Sequence, residues 1–375
     1  MSIFISAGEA SGDHYIALLA KTLREVGCSA DIWGMGGAEA QEQGVRTEWN
    51  GEELQLMGFT EILHAIPKIF KLKEEIIARI MDLNPKAVIV ADSPDFHMRL
   101  ISNLRKKGYK GKIFYISPPT VWAWRSGRIK ALRRDVDLCL PLYEFEHDYL
   151  VSNNCASYWS GAPLLEEFDE KNFNREDIPR KLADNTKLVA ILPGSRMGEI
   201  KKHMPLLEQV ADELTKRGWT PVFSVAPGLN KHSKEELLHR LKLNNRDYYE
   251  GPGRHLMSVA KCIIGASGTT TVESLILNCY MIVTYKVNSF SAFVVRAMVR
   301  TKFFAMANLL AGYELFPELL QEKATVENIL KYTLDWLDGE EKVKKTTYKK
   351  MAETRLKLGK SAVYESWAHK ILENI

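Results

Sequence analysis

Gly265-Ala266-Ser267-Gly268-Thr269-Thr270-Thr271-Val272-Glu273-Ser274 is the stretch from which the rest of the chain is read. It follows an apolar run, Cys262-Ile263-Ile264, that reads as a buried strand, and it runs into Val272–Leu277, which reads as a helix. A strand that ends in small and hydroxyl residues and then opens a helix presents backbone N–H groups at the positive end of the helix dipole, which favours an anion. Glu273 falls one turn into that helix, where a carboxylate can accept two hydroxyls of a ribose. Phosphate donors on Ser267, Gly268, Thr269 and Thr270 beside a ribose acceptor point to a nucleotide or nucleotide-sugar site without metal. The plainer alternative is a strand–loop–helix in which Ser and Thr merely cap.

A second loop of the same design lies upstream. Leu188–Leu192 is an apolar strand, followed by Pro193-Gly194-Ser195-Arg196 and, further on, a helix-like run from Glu208 to Arg217. Gly194 and Ser195 let a backbone approach a diphosphate closely, and Arg196 can supply the fixed positive charge that a metal would otherwise give. An arginine at a helix start is disfavoured by the dipole, which argues for a role beyond the surface.

Outward from these loops, short apolar strands without alternation take turns with helices, as in a parallel sheet buried on both faces. In the first half, strands are expected at Ser2–Ala7, Ala30–Met35, Lys86–Ala91, Lys112–Ile116 and Val136–Pro141, with helices at His14–Val26, Ile66–Met81, Met98–Lys107 and Gly127–Arg134. The pattern pauses near Gly161-Ala162-Pro163-Leu164, a polar stretch follows, and a second α/β series starts at Lys187. The fold class is therefore α/β, two doubly wound Rossmann-like domains, with boundaries expected at 1–165 and 166–350 and a C-terminal helix, 351–375, packing back on the first domain. Two such domains facing each other would put their strand ends across a shared cleft.

Three loops of the first domain carry chemistry. Ser6–Asp13 follows the first strand with G-x-x-x-G spacing, which is neither a dinucleotide fingerprint nor a P-loop. Its Glu9, Ser11 and Asp13 suit hydroxyl recognition, hence sugar, although Ser11 or Asp13 as a helix cap explains them equally well. In Ala91-Asp92-Ser93-Pro94-Asp95-Phe96, Pro94 is expected to keep Ser93 extended, so that Asp95 projects from a rigid turn. Either Asp92 or Asp95 can serve as a general base on a sugar hydroxyl. In Val121-Trp122-Ala123-Trp124-Arg125, the two tryptophans offer a floor for a sugar or acyl chain, and Arg125 and Arg128 offer charge for a phosphate; packing at the domain edge is the alternative.

Composition narrows the function. The 375 residues are 46% hydrophobic and 26% charged, and Lys plus Arg, 51, barely exceeds Asp plus Glu, 47, so nothing calls for nucleic acid. Five scattered cysteines form neither a disulfide framework nor a zinc spacing, which suits a reducing compartment, and nine histidines show no ligand pattern, so no metal is expected. No apolar run is long enough to span a bilayer, and Met1–Ile5 reads as a first strand, so a cytoplasmic location is expected. Met57, Phe59, Leu63, Ile66 and Phe70 crowd a segment broken by Pro67 and punctuated by Lys68, Lys71 and Lys73. That pattern suits a helix lying in a membrane interface, as does a second patch from Phe290 to Phe304; two core helices are the alternative.

The motifs SAGEASGD (Ser6–Asp13), MGFTEIL (Met57–Leu63), DSPDF (Asp92–Phe96), VWAWR (Val121–Arg125), LPGSR (Leu192–Arg196), SGTTTVES (Ser267–Ser274) and NLLAG (Asn308–Gly312), in this order, resemble the lipid-A-disaccharide synthase family, glycosyltransferase family 19. The resemblance covers nearly the whole chain. It implies a GT-B fold with an acceptor-binding, catalytic first domain and a UDP-sugar-binding second domain. It also implies an inverting transfer from UDP-2,3-diacylglucosamine to 2,3-diacylglucosamine 1-phosphate (lipid X), without a cofactor. The implied setting is peripheral, on the inner face of the inner membrane of Gram-negative bacteria, and a homodimer is compatible with it. Residue by residue, it implies Asp95 as the base and Glu9 as its helper, Arg196, Ser267–Thr270 and Glu273 on UDP, and Asn308 lining the donor site. The chain departs from the family at Tyr313, Ala162, Tyr280 and Ala307, where the family has Arg, His, Pro and Pro. The competing readings are a GT-B enzyme acting on a soluble UDP-sugar, such as an epimerase, and a non-enzymatic UDP- or lipid-binding paralogue.

Overall fold

The computed structural model describes residues 1–51, 54, 62–168, 173–286 and 301–375, of which 62–66 and 175 are described as backbone only. The chain divides into two compact units, Met1–Glu166 with Leu358–Ile375, and Glu167–Lys357.

In the first unit the chain runs β1 (Ser2–Ala7), α1 (Ala10–Glu25), β2 (Asp31–Gly36), α2 (Ala38–Glu42), β3 (Arg46–Asn50), α3 (Ile62–Leu83), β4 (Ala87–Ala91), α4 (Pro94–Lys106), β5 (Lys112–Ile116), α5 (Ile129–Asp135), β6 (Leu138–Leu140) and α6 (Glu144–Ser152). The six strands form one parallel sheet in the order β3-β2-β1-β4-β5-β6. Because side chains alternate along a strand, Ile3 and Ile5 bury into one helical layer with Ile16 and Leu19 of α1. Phe4 points to the other face, with Ile76 and Ile77 of α3 and Leu100 of α4. Both faces of the central strands are thus covered, which is why β4, Ala-Val-Ile-Val-Ala, is apolar and buried throughout.

The second unit repeats the plan after the short helix α7 (Arg180–Ala183): β7 (Leu188–Leu192), α8 (Met197–Lys216), β8 (Thr220–Val225), α9 (Lys231–Leu243), β9 (Asp247–Glu250), α10 (Gly253–Val259), β10 (Cys262–Gly265), α11 (Thr270–Ile276), β11 (Met281–Tyr285), α12 (Met306–Ala311), β12 (Glu318–Leu320), α13 (Val326–Leu337) and α14 (Glu341–Leu356). Its parallel sheet has the order β12-β11-β10-β7-β8-β9, so counted from its own first strand it has the same topology as the first. Helix α8 starts well before the expected Glu208 and runs through Pro205. Proline removes one N–H from the ladder, but Ile200, Met204, Leu207 and Val210 bury their side chains along the same face and carry the helix across it.

The C-terminus differs from the single helix expected over 351–375. Helix α14 ends at Leu356, the backbone turns through positive φ at Gly359 and Ala362, and a separate helix, α15 (Val363–Leu372), follows. It buries Val363, Trp367, Ala368 and Ile371 in the layer that holds α1, so it completes the first unit. Hydrogen bonds fasten it there: Ala162 donates its N–H to the Leu358 carbonyl at 2.7 Å, and the Glu166 carboxylate accepts the backbone N–H groups of Val363 and, at 3.2 Å, of Tyr364. Among the described residues no helix is long and apolar enough to cross a membrane.

Candidate active site

In the first unit the chain leaves adjacent strands β1 and β4 in opposite directions across the sheet, which opens a crevice at their C-terminal ends. The turn after β4 differs from expectation. Ser93 is not extended: Asp92 (φ 52°) and Ser93 (φ 44°) are both left-handed, each a strained conformation for a residue with a Cβ. What holds them is the Asp92 carbonyl, which lies 2.8 Å from His97 Nδ1 and accepts the Tyr115 hydroxyl at 2.9 Å. A ring nitrogen facing a carbonyl carries the proton, so His97 Nε2 is the acceptor for Ser6 Oγ at 2.8 Å. Burial lowers the His97 pKa to about 4 against the opposing hydrogen bond to Asp92, so the ring is neutral near pH 7.

The turn separates the two candidate bases. The Asp92 carboxylate points back toward α1 and accepts Ser11 Oγ at 2.6 Å; burial raises its pKa, and hydrogen bonds from Ser11 and Ser117 oppose the rise. Asp95 stands outward in the first turn of α4, and its Oδ1 accepts Arg125 Nη1 at 2.9 Å and also Arg128 Nη2. Both cations lie over Trp124, Arg125 at 4.4 Å and Arg128 at 6.0 Å from the ring centroid. Trp124 is anchored by its N–H to Thr120 Oγ1 at 3.1 Å. Trp122 is built into the fold: its N–H donates to Glu146 at 3.0 Å and its ring meets Phe145 edge-on at 4.9 Å. Burial pushes Glu146 up to about 7, against N–H donors from Trp122, Leu142 and Tyr143.

Asp13 does not cap its own helix. It is buried and accepts the N–H groups of Gly37, at 2.6 Å, and Glu39, at 3.1 Å, so it caps α2 instead. Glu9 and Asp95 both line a cavity of about 320 Å³, together with the cations Lys73 and Arg99 and the apolar Ile69 and Phe70. Lys73 is buried, with its ammonium 4.7 Å from the Phe70 ring centroid and 3.3 Å from Glu74. Of the segment expected at a membrane, Met57 and Phe59 lie outside the described residues, as do residues 290–298 of the second patch. Leu63 and Ile66 fall at the start of α3. Phe70 is 46% exposed, whereas Leu72 turns into the core.

In the second unit the same kind of crevice forms between β7 and β10, and it brings the two sequence-distant loops together. Gly265 is in register with Leu192, and Ala266 donates its N–H to the Leu192 carbonyl at 3.1 Å, so Pro193–Arg196 and Ser267–Thr270 leave side by side. Gly194 has φ +127°, a backbone conformation that calls for glycine, and a Cβ there would lie 3.0 Å from Glu199 Oε2. Ser195, Arg196, Gly268 and Thr269 are exposed at the rim. Behind them His203 is buried: its Nε2 accepts the Lys286 N–H at 2.9 Å, so its protonated Nδ1 donates to the Pro193 carbonyl at 2.9 Å. Burial lowers its pKa and keeps it neutral. The Tyr285 hydroxyl donates to Glu199 at 3.1 Å, pinning the start of α8 to the end of β11.

Glu273 is half-buried on α11, and its carboxyl is raised to about 7, first by burial and then by the Glu167 charge, with Arg254 opposing. Asn308 is completely buried: its Nδ2 donates to the Phe316 carbonyl and to Glu318, both at 2.8 Å, and its Oδ1 accepts from Leu315 and Phe316, both at 2.9 Å. Its amide is saturated by the turn it organises. His97, His203 and Glu146 were not singled out from the sequence, because each lies in an ordinary mixed helical stretch and only the partner it meets in the fold shows its use.

Two Rossmann-like units of identical topology, each with loops gathered at its switch point, are the two units of the GT-B fold. The crystal structure of Methanocaldococcus jannaschii UDP-GlcNAc 2-epimerase in complex with UDP-GlcNAc and UDP shares the fold, with a TM-score of 0.64 at 14% identity and 100% of each chain covered. The family model for lipid-A-disaccharide synthetase matches residues 3–372, and the chain belongs to that family. It is 31% identical over 379 residues to lipid-A-disaccharide synthase of Myxococcus xanthus, covering 99% of this chain and 97% of the relative. It is 32% identical over 343 residues to that of Alcanivorax borkumensis, covering 90% and 89%. The chain is accordingly a hexosyltransferase of lipid A biosynthesis.

Proposed function

We propose that the chain transfers the sugar of UDP-2,3-diacylglucosamine to the 6-hydroxyl of lipid X with inversion, forming the β-1,6-linked lipid A disaccharide 1-phosphate and UDP. The observation that carries this reading is the placing of Asp95 at a cavity shared with Glu9, with two arginines on its carboxylate. Asp95 takes the hydroxyl proton as the acceptor oxygen attacks the anomeric carbon, and Glu9 helps orient the acceptor. The anomeric C–O bond breaks with its electron pair leaving on UDP. In the second unit, Arg196 and the N–H groups of 267–270 stabilise the charge growing on the diphosphate, the Gly194–Ser195 backbone lies along it, and Glu273 holds the ribose. Asn308 supports the donor site by holding the 315–318 turn. Ser11, Trp122, Trp124, Arg125 and Arg128 shape the acceptor side, and the exposed Phe70 beside the exposed Lys71 faces the lipid surface from which both acylated substrates come.

The test is turnover of UDP-2,3-diacylglucosamine with lipid X in detergent, wild type beside Asp95→Asn, with and without chelator. The expected result is disaccharide from the wild type, unaffected by EDTA, and a loss of about 10²–10⁴-fold in Asp95→Asn with UDP affinity unchanged. Undiminished turnover by Asp95→Asn removes Asp95 from the base role. A folded wild type that binds UDP and makes no disaccharide refutes the reaction.

A further inference from the structure

One oxygen of the Asp95 carboxylate, Oδ1, is committed to two arginines. Both guanidinium groups converge on one atom, Oδ1, whose two lone pairs they fill. That oxygen cannot also receive a hydroxyl proton, and the pair of contacts fixes the direction in which the remaining oxygen, Oδ2, faces. The two cations share one support. Arg125 is exposed, on a loop with φ 47°, and both guanidiniums rest against the face of Trp124, which Thr120 anchors. A planar cation can turn its fork while it stays stacked on an indole.

Resting on the glycosyltransferase reading above, we propose that Arg125 and Arg128 form a gate on Asp95 that the phosphate of the acceptor opens. A phosphomonoester brings close to two negative charges and three acceptor oxygens, so it draws two guanidinium forks away from a single carboxylate. Asp95 is then released next to the sugar whose hydroxyl it must deprotonate. The proton passes from that hydroxyl to Asp95 as the new C–O bond forms and UDP departs with the electron pair of the old one. Asp95 returns the proton to solvent when the product leaves and the arginines swing back. The acceptor phosphate thus acts on the chemical step as well as on binding, and Arg125 and Arg128 are specificity-determining residues.

The experiment compares transfer to the acceptor with and without its phosphate, in wild type, Arg125→Met and Arg128→Met, adding inorganic phosphate to the phosphate-free reactions. The expected result is a kcat on the phosphate-free acceptor at least about tenfold below that on the phosphorylated one in the wild type. Added inorganic phosphate or Arg128→Met should restore part of that deficit, while Arg128→Met raises KM for the phosphorylated acceptor. Equal kcat for the two acceptors, with a difference in KM alone, overturns the gate and leaves the arginines as simple phosphate binders. A kcat deficit that neither phosphate nor either variant relieves overturns it too. The phosphate arm uses the wild type and decides the matter even where a variant fails to fold. No transfer to either acceptor by folded, UDP-binding wild type overturns the transferase reading together with the gate.

Discussion

Asp95 owes its position to a residue that never meets solvent. His97 ties the Asp92 carbonyl to Ser6 on the neighbouring strand and so stabilises two consecutive left-handed residues. Its role is also a pH liability. Its pKa falls from 6.5 unfolded to about 4 folded, so between these values the unfolded chain binds the proton that the folded chain refuses. The stabilisation is present above about pH 6.5 and is lost as pH falls toward 4, by an amount on the order of 3 kcal/mol. Glu146 and Glu273, both raised to about 7, work in the opposite direction: their contribution is present at low pH and is lost as pH rises through about 7. The comparison is therefore between wild type and His97→Asn, in which these two terms cancel. Urea midpoints should fall less between pH 6.5 and 4 in His97→Asn, whose amide keeps the donor to Asp92 but does not titrate. Parallel curves for the two proteins would show that His97 is not the titrating group.

At the scale of elements, each unit uses the same device. A strand ends at the switch point, the loop turns out, and a histidine from the following helix reaches back to a carbonyl of the loop: His97 of α4 to Asp92, His203 of α8 to Pro193. The loop is thereby fixed before any ligand arrives, which lowers the entropy lost on binding. Gly194 is where this arrangement has least tolerance. Gly194→Ala forces a Cβ toward Glu199 at a φ that L residues avoid, and should cost about 1–3 kcal/mol of stability. It should also disturb the Tyr285–Glu199 contact and weaken UDP binding. Thermal unfolding with and without UDP checks this: a variant with wild-type Tm and a wild-type UDP-induced shift would show that the loop absorbs the methyl group.

For the whole molecule, the chain returns at its end to the unit where it began. Trp367 is completely buried against the α1 layer, so α15 is part of the first unit's core despite lying two hundred residues beyond its other elements. Trp367→Ala should destabilise that unit by about 3–5 kcal/mol, the usual loss for emptying a large aromatic site. Hydrogen exchange should show faster opening in β1 and α1 while β7 and β10 of the second unit keep their protection. Uniform loss of protection across both units would mean that they unfold as one body.

The sequence by itself determined the α/β class, the central strands, the two phosphate-type loops and the motif order that marks the family. These are local signals: an apolar run buried on both faces, or a cluster of Gly, Ser and Thr after a strand, is legible without knowing its neighbours. The edge strands β3, β9 and β12 were not legible, because a strand with one partner carries polar residues such as Arg46, Asp247 and Glu318 and loses the apolar signature. The C-terminal break was missed because Ala362 adopts a left-handed φ that its residue type does not announce. Only the tertiary structure decided that Asp92 turns inward to Ser11 while Asp95 meets two arginines, that Asp13 caps α2, that Trp122 is tied to Glu146, and that Asn308 is sealed in a turn. The physical reason is common to all of them. A polar side chain takes its role from the partner that satisfies it once water is excluded, and those partners stand up to 81 residues away in the chain.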